Sequence, residues 1–124
     1  MFKSISQITK FLEQKAGEKW VLQRYIHSPM LIGGPKWFNT PFRKFDIRMF
    51  GIAQIVDGMH FRGYFYKEGY IRTSSYEFNL LDLEDRDVHL TNDAVQDRNE
   101  EYGKYEPGNK ISMADFANYM KENF

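Results

Sequence analysis

The chain has 124 residues, enough for one domain with a modest core and not for two. Seventeen basic residues balance seventeen acidic ones, so bulk charge singles out neither nucleic acid nor an acidic surface as a partner. Cysteine is absent, which excludes disulfides and thiolate metal sites and fits a reducing compartment.

In chain order, Ser6 to Lys15 reads as a short helix with Ile5, Ile8, Phe11 and Leu12 on one face, ended by Gly17. Met1 to Lys10 lacks the apolar core of a signal peptide, and no apolar run is long enough to span a bilayer. Cytosol is therefore the expected compartment. Trp20 to Ile26 reads as a buried strand, stopped by the Ser28-Pro29 step. Gly33 to Pro41 is rich in Gly and Pro and reads as a loop. Phe42 to Val56 reads as one long strand, Asp57-Gly58 as a hairpin turn, and Met59 to Lys67 as its partner. Glu68-Gly69 makes a second turn, and Tyr70 to Ser74 returns as a third antiparallel strand. Asp82, Glu84, Asp85 and Asp87 read as a solvated loop. Thr91 or Asn92 caps a short helix running to about Arg98. Ser112 with Asp115 opens a final amphipathic helix whose inner face carries Met113, Phe116, Ala117 and Met120.

The string Arg43-Lys-Phe-Asp-Ile-Arg48 carries the most chemistry. Side chains alternate along a strand, so Lys44, Asp46 and Arg48 share one face at roughly 6.5 Å spacing, and Phe45, Ile47 and Met49 share the other. A row of cation, anion and cation suits a polyanionic nucleotide, with the carboxylate free for a ribose hydroxyl. An ordinary solvated face with an internal ion-pair ladder explains the same row. Neither His27 nor His60 has metal-ligand spacing. Gly33-Gly34-Pro35-Lys36 lacks the spacing of a phosphate loop.

Further strings follow a definite order: Gln23-Arg24-Tyr25-Ile26, Pro29-Met30-Leu31-Ile32, RKFDIR, Tyr66 to Ser74, His89-Leu90-Thr91-Asn92 with Gln96, and Tyr102 to Asn109. In that order and spacing they resemble the tubulin tyrosine ligase family of the ATP-grasp superfamily, from about Trp20 to the C-terminus. The resemblance implies an α+β fold, an ATP-grasp-like antiparallel sheet flanked by helices. Residues 1–124 would form the central portion of such a catalytic domain, an incomplete domain.

It also implies roles. Gln23, Arg24, Tyr25 and Ile26 would be the hinge beside the adenine, Arg24 and Ile26 acting through main chain. Lys44 and Asp46 would contact the nucleotide, as would Thr91 and Asn92, with His89 shaping the pocket. Members of this family transfer the γ-phosphate of ATP to a carboxylate, and an amine then attacks the acylphosphate. Arg48 would face the reacting phosphates, where charge develops. Arg72 would hold the carboxylate of the incoming free amino acid.

Two departures matter. The link from Gly33 to Phe42 is longer than usual and would form an insertion beside the nucleotide cleft. The family's upstream phosphate lysines and downstream Mg2+ ligands have no counterpart in this sequence, so no metal ligand is assigned and the chain alone is expected to be inactive. The function implied is ATP-dependent ligation of tyrosine or glutamate to tubulin. The Tyr66–Ser74 and Tyr102–Asn109 strings lean towards the tyrosine ligase branch. The cytoskeleton or cilium would be the setting, without nucleic acid or membrane partners. A non-catalytic tubulin- or microtubule-binding module that kept the fold, or an inactive fragment, is the alternative.

Overall fold

A computed structural model describes residues 1–124. Helix α1 spans Ile5–Gln14 and is capped by Ser4, whose hydroxyl accepts from the Gln7 amide. None of its residues is buried. Its apolar side meets nearby aromatics: Phe11 lies 5.1 Å from Phe2 and 4.9 Å from Trp20.

The stretch Trp20–Ile26, expected to be a buried strand, belongs to no sheet. Val21, Leu22 and Ile26 are exposed, Val21 at 85%. Composition favours extended backbone there, but a strand exists only where a neighbour's N–H and C=O groups pair with it, and none does.

The main sheet is antiparallel in the order β1-β2-β5-β6, with β1 at Leu31–Gly34, β2 at Thr40–Arg48, β5 at Tyr70–Glu77 and β6 at Lys110–Ser112. The expected Gly33–Pro41 loop is therefore a hairpin whose flanks are β1 and the start of β2. Gly33 marks a close approach at the point where the β1–β2 register shifts. A Cβ at this position, where φ is +151°, would lie 2.3 Å from the Pro41 carbonyl oxygen.

The expected long strand from Phe42 to Val56 breaks after Arg48. β3 (Gly51–Val56) leaves the sheet and pairs only with β4 (His60–Phe65) across the Asp57-Gly58 turn. The chain then returns so that β5 lies beside β2, not beside β4, with Asp46 opposite Arg72 and Ile47 opposite Ile71. Alternation fixes which face a residue takes but says nothing about which strand becomes the neighbour. Register shifts between Arg43 and Phe45, and Thr73, Ser74 and Ser75 are consecutively buried there.

The return depends on Gly69. A Cβ added there would meet the Arg48 carbonyl oxygen at 2.4 Å and the Met49 sulfur at 2.6 Å. Gly69→Ala is expected to destabilise the chain by about 1–3 kcal/mol. Urea unfolding measures it, and an unchanged midpoint would show that the β4–β5 turn yields freely.

Short helices α2 (Arg86–His89) and α3 (Asp93–Gln96) and a 3-10 turn at Pro107–Asn109 precede the last helix. α3 ends two residues before the expected Arg98, and Asn92 occupies its cap position without a side-chain bond. α4 (Met113–Asn123) begins as its sequence predicts, with Ser112 accepting from the Asp115 amide at 3.0 Å. Phe116 and Tyr119 are its buried residues; Ala117, expected inside, is exposed.

The core is Ile32, Trp37, Ile71, Ile111, Phe116 and Tyr119, with Phe45, Met113 and Met120 packed against it. Ile47, expected in the core, is 51% exposed. The cluster closes on Phe45, whose ring centroid lies 5.2 Å from that of Phe116, and leaves Ile47 outside. Arg43 shares the core face and is fully buried. Its guanidinium donates to Glu106 Oε2 at 3.0 Å and Oε1 at 2.5 Å, and Trp37 Nε1 donates to the same Oε1 at 2.7 Å.

Candidate functional site

The polar face of β2 projects Lys44 and Asp46 away from the α4 core, as alternation requires. Both carboxylate oxygens of Asp46 accept hydrogen bonds. Arg72 Nε donates to Oδ1 at 2.9 Å and its second nitrogen to Oδ2 at 2.7 Å, a bidentate pair set up by their direct opposition in the ladder. Thr91 Oγ1 donates to Oδ2 at 2.5 Å. The Asp46 hydrogen bond, more than its charge, holds the Arg72 guanidinium above the ordinary arginine range. Thr91, weighed as a helix cap, spends its hydroxyl on Asp46 instead.

Lys44 is half-buried. Its ammonium donates to the His89 carbonyl at 3.1 Å and to the Tyr25 hydroxyl at 3.4 Å, and lies 4.7 Å from the Tyr25 ring centroid. Burial pushes its pKa below the usual lysine range, with Asp46 acting in the opposite sense. His89 is 2% exposed and bonded at both ring nitrogens, to Tyr25 and to the Asp82 carbonyl.

Tyr25, Lys44 and His89 thus form one hydrogen-bonded group and Asp46, Arg72 and Thr91 a second, side by side on the polar face of β2. Gln23, Arg24, Ile26, Arg48 and Asn92 are exposed and make no side-chain hydrogen bond within either. Arg48 lies at the end of β2, its guanidinium 5.6 Å from the Phe50 ring centroid. Arg43, Glu106 and Trp37 were not singled out from sequence. The signal was present: alternation places Arg43 on the Phe45 face, and a buried guanidinium demands a buried carboxylate.

The expected insertion beside the cleft lies elsewhere. Residues Lys36 to Phe38 sit at the tip of the β1–β2 hairpin, where Trp37 packs edge-on against Tyr119 of α4. They line a cavity of about 500 Å³ on the α4 side of the sheet, which Lys44, Asp46 and Arg72 do not touch.

The donor set tests which groups fit. Two cations, a carboxylate and a hydroxyl on one sheet face match the phosphates and ribose of ATP. No three acidic or histidine side chains converge here, and Asp46 is the one carboxylate among these residues, so Mg2+ would take further oxygens from phosphate. Asp82 and Asp85 cap their own local turns, accepting from the amides of Glu84 and Asp87.

Comparison with known proteins bears on the whole chain. The model of the tubulin-tyrosine ligase family matches residues 1–124. Tubulin glycylase 3B of Tetrahymena thermophila is 36% identical over 121 residues, which is 98% of this chain and 9% of that protein. Probable tubulin polyglutamylase TTLL9 of Bos taurus is 36% identical over 103 residues, 83% of this chain and 20% of that protein. The Rattus norvegicus form is 35% identical over the same length and coverage. The chain therefore spans between 9% and 20% of the length of these relatives.

Proposed function

The chain belongs to the tubulin-tyrosine ligase family, and on that premise we propose that it supplies the nucleotide-facing strand and the amino-acid-binding arginine of an ATP-dependent ligase acting on tubulin. The interlocked Asp46, Arg72 and Thr91, with Lys44 two residues along the same strand face, carry this reading. Lys44 offers a half-buried ammonium to phosphate, and Asp46 offers acceptors to ribose hydroxyls. Arg72 offers a planar fork to a carboxylate. Bound ATP would supply a transferable phosphoryl group. Arg48, at the open end of β2, is assigned to charge developing during transfer.

Asp46 and Arg72 neutralise one another across the β2–β5 ladder. Engaging an amino-acid carboxylate therefore trades one bidentate partner for another and leaves no guanidinium unpaired. The same trade frees acceptors on Asp46 for a sugar. The setting proposed is the cytoplasm, at the cytoskeleton or a cilium.

Two assays test the reading. Titration calorimetry of ATP into the 124-residue chain should show weak, saturable binding that Lys44→Ala removes and Lys36→Ala leaves alone. A tubulin ligation assay supplied separately with labelled tyrosine, glutamate and glycine should show transfer by a longer protein containing these residues, and none by the chain alone. Ligation by the isolated chain would overturn the second expectation. Tubulin binding without any ATP binding in either protein would favour a non-catalytic binding module.

A further inference from the structure

Residues Lys19 to Met30 make no backbone hydrogen bond to any other part of the chain. Trp20 rests on Phe11 of α1, and neither is joined to the sheet. One side chain connects this segment to the folded body through hydrogen bonds. The Tyr25 hydroxyl lies 2.7 Å from His89 Nδ1 and 3.4 Å from Lys44 Nζ.

The direction of each bond follows from the partners. His89 Nε2 faces the Asp82 carbonyl at 2.9 Å, and a carbonyl only accepts, so Nε2 carries the proton. In that tautomer Nδ1 accepts from the Tyr25 O–H. Lys44, a donor only, gives to the Tyr25 oxygen and to the His89 carbonyl. Each group is used in the one sense its chemistry allows. The rings of Tyr25 and His89 meet edge-on at 5.5 Å, and Phe78 closes the other side of His89 at 5.9 Å. Burial also raises the Tyr25 pKa, which keeps its hydroxyl a donor at neutral pH.

We infer that Tyr25 is a positioning residue: its hydroxyl, anchored on the His89 ring, pins the Trp20–Ile26 segment to the sheet and fixes the Lys44 ammonium. For its consequence in nucleotide binding this rests on the function proposed above; the anchoring itself does not. Gln23, Arg24 and Ile26 have no fixed position without the Tyr25 peg, because nothing else holds their backbone.

Tyr25→Phe keeps the ring and deletes the O–H, and Tyr25→Ala deletes both. Both should lower the thermal midpoint modestly, because the buried His89 Nδ1 loses its partner while the core itself stays intact. Trypsin cleavage after Arg24, measured against cleavage after Lys10 in the same chain, should accelerate roughly 2- to 12-fold in Tyr25→Phe, the loss of one hydrogen bond. The pH midpoint for acylation of Lys44 should move up towards that of an exposed lysine, more in Tyr25→Ala; a segment that merely packs would leave it still. ATP affinity should fall in step with the cleavage change. Unchanged cleavage and an unchanged Lys44 profile would overturn the anchoring. Both changes in a chain that never binds ATP would keep the anchoring and sink the nucleotide reading. Wild-type ATP affinity in Tyr25→Phe would overturn the link between the two.

Discussion

Arg43→Ala is expected to cost about 3–5 kcal/mol, the penalty for removing one partner of a buried ion pair. Arg43 is fully buried and Glu106 is 5% exposed, so the remaining carboxylate would stay in the interior without its guanidinium. Trp37 Nε1 at 2.7 Å and Thr73 Oγ1 at 3.1 Å still donate to it, yet two neutral donors do not offset a full charge. Arg43 also donates to the Ser74 carbonyl at 3.1 Å, where the β2–β5 register shifts, so its loss loosens the strand pairing. Small domains hold only about 5–15 kcal/mol in total, and the variant should be largely unfolded at modest urea. Glu106→Gln should cost less than Glu106→Ala, because its amide oxygen can still accept from Trp37. The double change Arg43→Met with Glu106→Leu should recover part of the loss by removing both charges, though it leaves Trp37 Nε1 without an acceptor. Urea denaturation of the four variants gives the comparison. A cost below about 1 kcal/mol for Arg43→Ala would mean water reaches the pair and replaces its partner.

That pair shows which parts of the fold were legible in the sequence. Period-two alternation across Arg43–Arg48 separates the faces: Lys44 and Asp46 meet polar partners, while Phe45 meets Phe116. The Ser112–Asp115 signal marks the start of α4 because capping is chemistry within one turn of chain. What failed was long-range. Whether Trp20–Ile26 pairs as a strand, whether β5 returns beside β2 or β4, and how far the core extends towards Ile47 all depend on neighbours distant in sequence. Arg43 was legible in principle, since it lies on the Phe45 face by simple counting. Its buried carboxylate stands 63 positions later, in the Tyr102–Asn109 string, and no local rule joins them. The bond from Thr91 to Asp46 was hidden for the same reason: the hydroxyl had a local use as a cap and a distant use as a donor, and the distant one prevailed.

Arg72→Ala, in a longer ligase containing this segment, is expected to raise the KM for the amino acid by roughly 10- to 150-fold, equivalent to about 1.5–3 kcal/mol for a hydrogen bond to a charged group. Arg72→Lys keeps the charge but loses the fork that meets a carboxylate at two points, so it should recover only part of the loss. The Asp46–Arg72 pair adds a competing account. Arg72 already holds both oxygens of Asp46, and removing it could act by letting that carboxylate swing away from its Thr91 bond. The two accounts differ in which KM moves. If Arg72 binds the amino acid, Arg72→Ala raises that KM and leaves the ATP KM nearly unchanged, while Asp46→Asn does the reverse. If Arg72 only orients Asp46, both variants raise the ATP KM together. Arg48→Ala should depress turnover with little effect on either KM, because its assigned charge develops only during transfer. Steady-state ligation with each substrate varied separately distinguishes these outcomes. Unaltered amino-acid KM and turnover in Arg72→Ala would reduce the Asp46–Arg72 pair to a cross-strand ion pair of the sheet, worth the few tenths of a kcal/mol typical of such ladders.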